Sequence, residues 1–161
     1  GAALRTGFEA AQCRYIFFMD ADGQFLIDDL PRLLALADEQ HIVSGCRMVR
    51  RDPFVRRLNA WLFGGVLVPV LLGVRVRDLN CAFKLIPRRV LDGVELESTG
   101  ALINAELYGK AVRRGAGIRE VGVSHHPRQG GASTGANLGV ILRACYDLFR
   151  LRRKIVSTAA D

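Results

Sequence analysis

Asp20-Ala21-Asp22-Gly23-Gln24 stands directly after the apolar run Tyr15-Ile16-Phe17-Phe18-Met19. Two carboxylates at the mouth of a strand repel each other and lose hydration, and a hard divalent cation between them relieves both penalties. Mg2+ or Mn2+ on Asp20, Asp22 and the Gln24 amide would keep positions open for the oxygens of a diphosphate. The place after the strand carries this reading. The D-x-D spacing alone does not, and the same carboxylates could instead begin a turn or cap a helix.

A second chemistry lies in the arginines. Arg outnumbers Lys 20 to 3, and the planar guanidinium fork suits phosphate better than an ammonium does. Arg47 to Arg57 holds five Arg and one Asp, and Arg143 to Lys154 holds four Arg, one Lys and one Asp. These windows carry +8 of a chain whose formal charge is +7, so the rest is nearly neutral. Nucleic acid, lipid headgroups and a phosphorylated substrate all fit such a surface, as does a plain solvated basic face. Aromatic residues at 7% and the lack of any helix-turn-helix, RRM or zinc pattern argue against nucleic acid. Arg47, Arg57 and Arg128 each fall near a predicted strand end or loop where a fork could hold phosphate. Arg128 is followed by Gly130, Gly131, Ser133 and Thr134, a polar loop able to close over one. His125 and His126 have no nearby Cys or spaced acid, so a metal role for them is not suggested.

The elements that must position these groups follow from the pattern. With 161 residues, 50% of them hydrophobic and 24% charged, the chain suits one globular domain, and disorder and collagen are excluded. The nearly uncharged stretch Trp61 to Val74 is shorter than the roughly 20 residues of a spanning helix. Four scattered cysteines suggest neither a zinc cage nor a disulfide framework, and point to a reducing, cytoplasmic setting. Leu4, Phe8 and Ala11 recur at helical spacing, and Tyr15 to Met19 reads as a buried parallel strand. The pattern next predicts a helix over Asp28 to Glu39, a strand at Ile42 to Ser44, and a helix over Pro53 to Leu72 that Pro69 kinks or ends. Cys81 to Ile86 reads as a strand, Ala101 to Arg114 as a helix stopped by Gly115, and Ile118 to Ser124 as an alternating strand. A last helix from Asn137 carries Leu138, Ile141, Cys145 and Leu148 on one stripe and Arg143, Asp147, Arg150 and Lys154 on a basic one. Alternating helices and strands predict an α/β architecture with binding groups at the carboxyl ends of the strands.

Two families place D-x-D at such a location. Asp20 to Gly23 is similar to the D-x-D-G of haloacid-dehalogenase-like phosphohydrolases, whose first Asp is the nucleophile. No later apolar run here ends in the acidic pair that family needs, and Gln24 stands where it carries Thr or Val. Over nearly the whole chain the sequence resembles family 2 glycosyltransferases of the dolichol-phosphate mannosyltransferase type. The resemblance runs from G-x-A-x-R-x-G at Gly1, Ala3, Arg5 and Gly7 to P-R-x-x-G-x-S at Pro127, Arg128, Gly131 and Ser133. Between them lie Asp20, Asp22 and Gln24, then Gly45 and Arg47, then Asp78 before Phe83-Lys84-Leu85. Glu106, Gly115 and Glu120-Val121 follow in order. The usual G-S-R is here Gly45-Cys46-Arg47, and the usual S-G-F-K is Cys81-Ala82-Phe83-Lys84.

That resemblance implies a GT-A fold, a Rossmann-like mixed sheet flanked by helices, lacking the opening strands that hold the nucleoside. It implies a catalytic domain over residues 1–136 and an amphipathic basic helix and tail over 137–161. The donor would be a UDP- or GDP-linked sugar bound through Arg5, Asp20 and Asp22, with Mg2+ or Mn2+ on Asp20, Asp22 and Gln24. The acceptor would be a polyprenyl phosphate held by Arg47, Arg57, Arg128 and Ser133 at the cytoplasmic face of an anionic membrane. Asp78 and Glu106 are the catalytic carboxylates of this reading, and they orient sugar hydroxyls or basic residues. A phosphate monoester is already mostly dianionic at pH 7, so it needs no general base. The helix over Trp61 to Leu72 could take the polyprenyl tail and the last helix could rest on headgroups. The rival from another class is a non-catalytic basic module for a membrane surface or nucleic acid.

Overall fold

The computed structural model describes residues 1–48, 61–98, 100, 102–126 and 138–157, with the side chains of 138–144 and 156–157 excepted. Four strands form one mixed sheet in the order β1-β3-β2-β4: β1 (Tyr15–Met19), β2 (His41–Arg47), β3 (Phe83–Pro87) and β4 (Gly117–Val123). β3 runs antiparallel to β1 and β2, and β2 runs parallel to β4. The mixed sheet with its flanking helices agrees with the α/β architecture expected from the sequence. β1 departs from the expected buried parallel strand. Among the described residues it pairs only with β3, antiparallel, and only its Ile16 is buried.

The two faces of the sheet carry separate cores, and strand alternation sorts residues between them. Phe17, Phe83, Leu85, Val43 and Val123 meet Leu33 and Phe25 on one face. The Phe17 and Phe83 rings stand edge to face at 4.8 Å. Ile42, Ile86, Phe18 and Ile118 meet most of the helices on the other. Both faces are covered, which explains why Tyr15 to Met19 is apolar throughout.

Helix α1 (Ala2–Ala10) lays Leu4 and Phe8 on the second face, with Phe8 edge-on to Phe18 at 5.7 Å. The helix expected over Asp28 to Glu39 is shorter. A 3-10 turn (Ile27–Asp29) leads into α2 (Leu30–Leu34), and the chain then leaves the helix. Asp38 is the physical reason. Its carboxylate accepts the N–H groups of Gln40 at 2.8 Å and His41 at 2.9 Å, which turns the chain into β2. Those bonds, the His41 ring and nearby Arg119 hold its carboxyl down at about 2.

The described part of the helix expected over Pro53 to Leu72 is a π-helical segment (Trp61–Leu67) continuing into α3 (Val68–Leu72). Pro69 sits in the first turn of α3 and so starts that helix rather than ending it. The stop is Gly73 at φ +72°. After β3 comes α4 (Arg88–Leu91), then α5 (Ile103–Arg113), which ends before Gly115 at φ +87°. The last helix, α6 (Leu138–Ser157), packs Leu148, Leu151 and Ile155 inward. Arg150 and Lys154 of the expected basic stripe are exposed, and the outer surface adds aromatics to them: Tyr146 and Phe149 stand exposed beside Arg150 and Arg153, at i, i+3, i+4 and i+7. Lys154 pairs with Glu97. No helix among the described residues is long and apolar enough to cross a membrane.

The assignment of the α6 faces is checked by two adjacent substitutions. Leu148→Ala should cost about 2–5 kcal/mol in urea denaturation, because a cavity is left in the core. Phe149→Ala should stay within about 0.5 kcal/mol.

Candidate functional site

The strand directions place the chemistry. β1, β2 and β4 all run the same way and β3 runs against them. Asp20, Arg47 and Ser124 therefore leave the sheet at one end, and the segment entering Phe83 arrives there. The Asp20 N–H donates to the Ala82 carbonyl at 3.2 Å, which ties the D-x-D loop to that segment.

Within the loop, the Gln24 N–H donates to Asp22 Oδ1 at 3.1 Å and Gly23 takes φ +74°, closing a tight Asx turn. Gln24 then clamps the exit of β4. Its Nε2 donates to the His126 carbonyl at 3.0 Å, and the His126 N–H returns to the Gln24 carbonyl at 2.8 Å. The Phe25 and His125 rings meet at 5.0 Å, and the Ser124 N–H donates to Asp29 Oδ2 at 2.7 Å. Burial pushes the Asp29 carboxyl up, but the Ser124 and Arg32 bonds outweigh it and hold the group low. Pro127 and Arg128 thus follow a residue bonded directly to the D-x-D loop.

The donor set suits a hard cation: two carboxylates and, with its nitrogen on His126, an amide oxygen. Among the described residues no three His, Cys, Asp or Glu side chains converge as a complete metal site. A cation here would draw its remaining ligands from a diphosphate and water.

Beside the loop lies a charged network. Arg47, the last residue of β2, grips Asp78 through Nε at 2.6 Å and Nη2 at 2.8 Å. Asp78 is 3% exposed. The Glu120 carboxylate on β4 accepts the Arg77 N–H at 2.9 Å and the Asp78 N–H at 3.3 Å. Lys84 on β3 is fully buried. Its ammonium donates to the Leu79 and Cys81 carbonyls and to Asn104 Oδ1 at 3.1 Å, and lies 5.4 Å and 5.3 Å from the Phe18 and Tyr108 ring centres. Burial pushes Lys84 down to about 8, against the pull of Cys81, Asp78 and Asp20. Burial likewise pushes the Cys81 thiol up to about 12, which makes it inert.

The structure brings Asp20, Asp22, Gln24, Arg47 and Asp78 to one end of the sheet. Arg5 lies elsewhere, lining a cavity of about 490 Å³ with Ile16, Arg88 and Glu97 that includes none of those five. Glu106 on α5 is fully buried and accepts the N–H groups of Glu97 at 2.9 Å and Ser98 at 2.7 Å, with Lys110 at 2.8 Å. Burial raises its carboxyl, and these partners more than reverse the effect. Arg57, Arg128 and Ser133 lie outside the described residues. Sequence reasoning assigned no role to Lys84 or Glu120. A charge within each of two largely apolar strands, alone in β3 and next to Arg119 in β4, was the available signal.

Lys84 gives a pH test. Its folded pKa lies below its unfolded value, so the cost of burying the charge is full below pH 8. That cost fades as pH rises from about 8 toward 10.5, where only the unfolded chain stays protonated. Wild-type stability relative to Lys84→Met should therefore climb across that window by about 1 kcal/mol per pH unit. A flat difference in urea midpoints would mean the ammonium is solvated.

Comparison with known proteins follows the same residues. The family model described as Glycosyl transferase family 2 matches residues 1–94. The chain is 29% identical over 136 residues to the dodecaprenyl-phosphate galacturonate synthase of Rhizobium johnstonii, covering 82% of this chain and 39% of that protein. It is 25% identical over 153 residues to the dolichyl-phosphate beta-glucosyltransferase of Saccharomyces cerevisiae, covering 81% and 45%. It is 30% identical over 152 residues to the polyprenol monophosphomannose synthase of Mycolicibacterium smegmatis, covering 86% and 57%. The chain thus spans about half the length of these curated relatives. The phosphohydrolase alternative gives way, since the matched region contains the whole D-x-D loop and extends over more than half of the 161 residues. The chain belongs to glycosyl transferase family 2.

Proposed function

We propose that this chain is catalytic-domain sequence of an enzyme that moves a sugar from a UDP- or GDP-linked donor to a polyprenyl phosphate, with Mg2+ or Mn2+, at the cytoplasmic face of a membrane. The observation that carries the reading is the clamp between Gln24 and His126, which couples the D-x-D loop to the entry of the P-R-x-x-G-x-S loop. The names of all three relatives, each of which contains a polyprenyl- or dolichyl-type phosphate, support the acceptor class.

In this reading Asp20, Asp22 and the Gln24 amide oxygen bind the cation and the donor diphosphate, and Arg5 stands outside that donor site. The bond from the sugar's anomeric carbon to the β-phosphate breaks, and an acceptor phosphate oxygen takes its place. A bound cation supplies positive charge to the departing diphosphate. Arg128, Ser133 and Arg57 hold the acceptor phosphate together with Arg47, whose fork Asp78 orients. Glu106 acts at one remove, fixing the backbone at Glu97 and Ser98. The acceptor is already dianionic, so no side chain removes a proton. The outer stripe of α6 supports work at an anionic membrane, where rings sit at headgroup depth and each Arg adds about 1 kcal/mol. Nucleic acid has no part in this reading.

Calorimetry with UDP and GDP, with and without Mn2+, tests the donor site. Nucleotide should bind more tightly with the cation, and Asp20→Asn/Asp22→Asn should abolish the gain. An unchanged cation effect in the double variant would remove the site. In the full-length enzyme Arg128→Lys keeps the charge and loses the fork, so activity should fall through the dependence on polyprenyl phosphate while nucleotide affinity holds.

A further inference from the structure

A cleft of about 440 Å³ opens between the π-helical segment and the stretch before Asp78, lined by Gly64, Gly65, Pro69, Arg75, Arg77 and Glu120. Gly73 turns the chain back from α3, after which Val74 is buried, Val76 is half-buried against the core, and Arg75 and Arg77 are exposed. Arg75 and Arg77, two residues apart, line the same cleft. Glu120 also borders it, but its oxygens are turned onto the Arg77 and Asp78 N–H groups.

The helical segment that supplies Gly64, Gly65 and Pro69 to the cleft carries an exposed apolar surface beside it. Trp61, Leu62, Val66 and Val70 are 60%, 44%, 37% and 70% exposed. Gly65 lets the Trp61 indole close over the backbone, since a Cβ there would come within 3.3 Å of the ring. π-helical turns are rare and occur disproportionately at functional sites.

We propose that this cleft binds the phosphate of an anionic phospholipid headgroup, with Arg75 and Arg77 as the forks and the Trp61–Val70 surface set into the acyl boundary. None of Asp20, Asp22, Gln24 and Arg47 lines the cleft, so a phosphate held there is an anchor beside the reaction site and not the attacking group. The proposal rests on the membrane reading above.

Trp61 is the single tryptophan of the chain, and its ring, next to Gly65 of the cleft wall, reports on that surface. Vesicles of phosphatidylcholine with phosphatidylglycerol should bind the protein and shift Trp61 emission to the blue, and soluble glycerol phosphate should compete. Arg75→Gln/Arg77→Gln should lower vesicle partitioning roughly tenfold or more and abolish the shift. Arg89→Gln/Arg113→Gln removes the same charge from other exposed positions and should change partitioning less than threefold. Gly65→Val keeps the charge, crowds Trp61 and should also weaken binding. Equal losses in the two arginine pairs, or binding without an emission change, would overturn the cleft. Binding that requires polyprenyl phosphate in place of phosphatidylglycerol would make it an acceptor site and overturn the anchor. No wild-type binding to either vesicle would instead remove the membrane reading itself.

Discussion

A charged ammonium with no water around it costs several kcal/mol, and Lys84 sits fully buried in the second residue of β3. The chain around it is arranged to replace that water. The segment entering β3 bends so that the Leu79 and Cys81 carbonyls face Nζ, α5 supplies Asn104, and the faces of Phe18 and Tyr108 complete the shell. Once the segment is held in that bend, Asp78 points at Arg47 and the amides of Arg77 and Asp78 point at Glu120. One buried cation in β3 thereby sets the shape of a loop joined to β2 and β4.

The same loop reaches β1 through the Ala82 carbonyl, which accepts the Asp20 N–H. All four strands therefore contribute to one polar end, each through a different kind of group: a backbone amide from β1's exit, a guanidinium from β2, an ammonium from β3 and a carboxylate from β4. In such networks the groups polarise and orient one another, so the arrangement is more rigid than its separate bonds imply. Rigidity at this end suits the proposed reaction, whose main demand would be to hold a diphosphate and an incoming phosphate in line. The apolar faces below supply the support. Phe83 is packed against Phe17 and Phe25, and the Phe25 ring also meets His125, so the core of one face continues directly into the β4 exit.

The carboxylates divide by environment. Asp20 is exposed and Asp22 half-buried, as the proposed cation and nucleotide site requires. Asp78 and Glu106 are buried and turned on protein donors, which makes them groups that position others. All four are carboxylates, and burial separates them.

The sequence by itself determined the class of element and the place of the loop chemistry. The continuous apolar strand stopping at Asp20, the alternation before Ser124 and the glycine stop at Gly115 are local patterns, and each appears in the fold within a few residues. The motif order was also enough to reveal the family, because five motifs in register constrain far more than one. The partners across the sheet were decided by tertiary structure. Nothing near Arg47 in the chain announces Asp78, 31 positions away, and nothing near Gln24 announces His126, 102 positions away. Arg5 and Asp20 share a motif series yet line different parts of the molecule, and the outer stripe of α6 emerged as aromatic and basic only once Leu148, Leu151 and Ile155 were seen to face inward. Periodicity gives spacing along one element, whereas the angle at which that element meets its neighbours, and hence which face is buried, is set by contacts between residues distant in the chain.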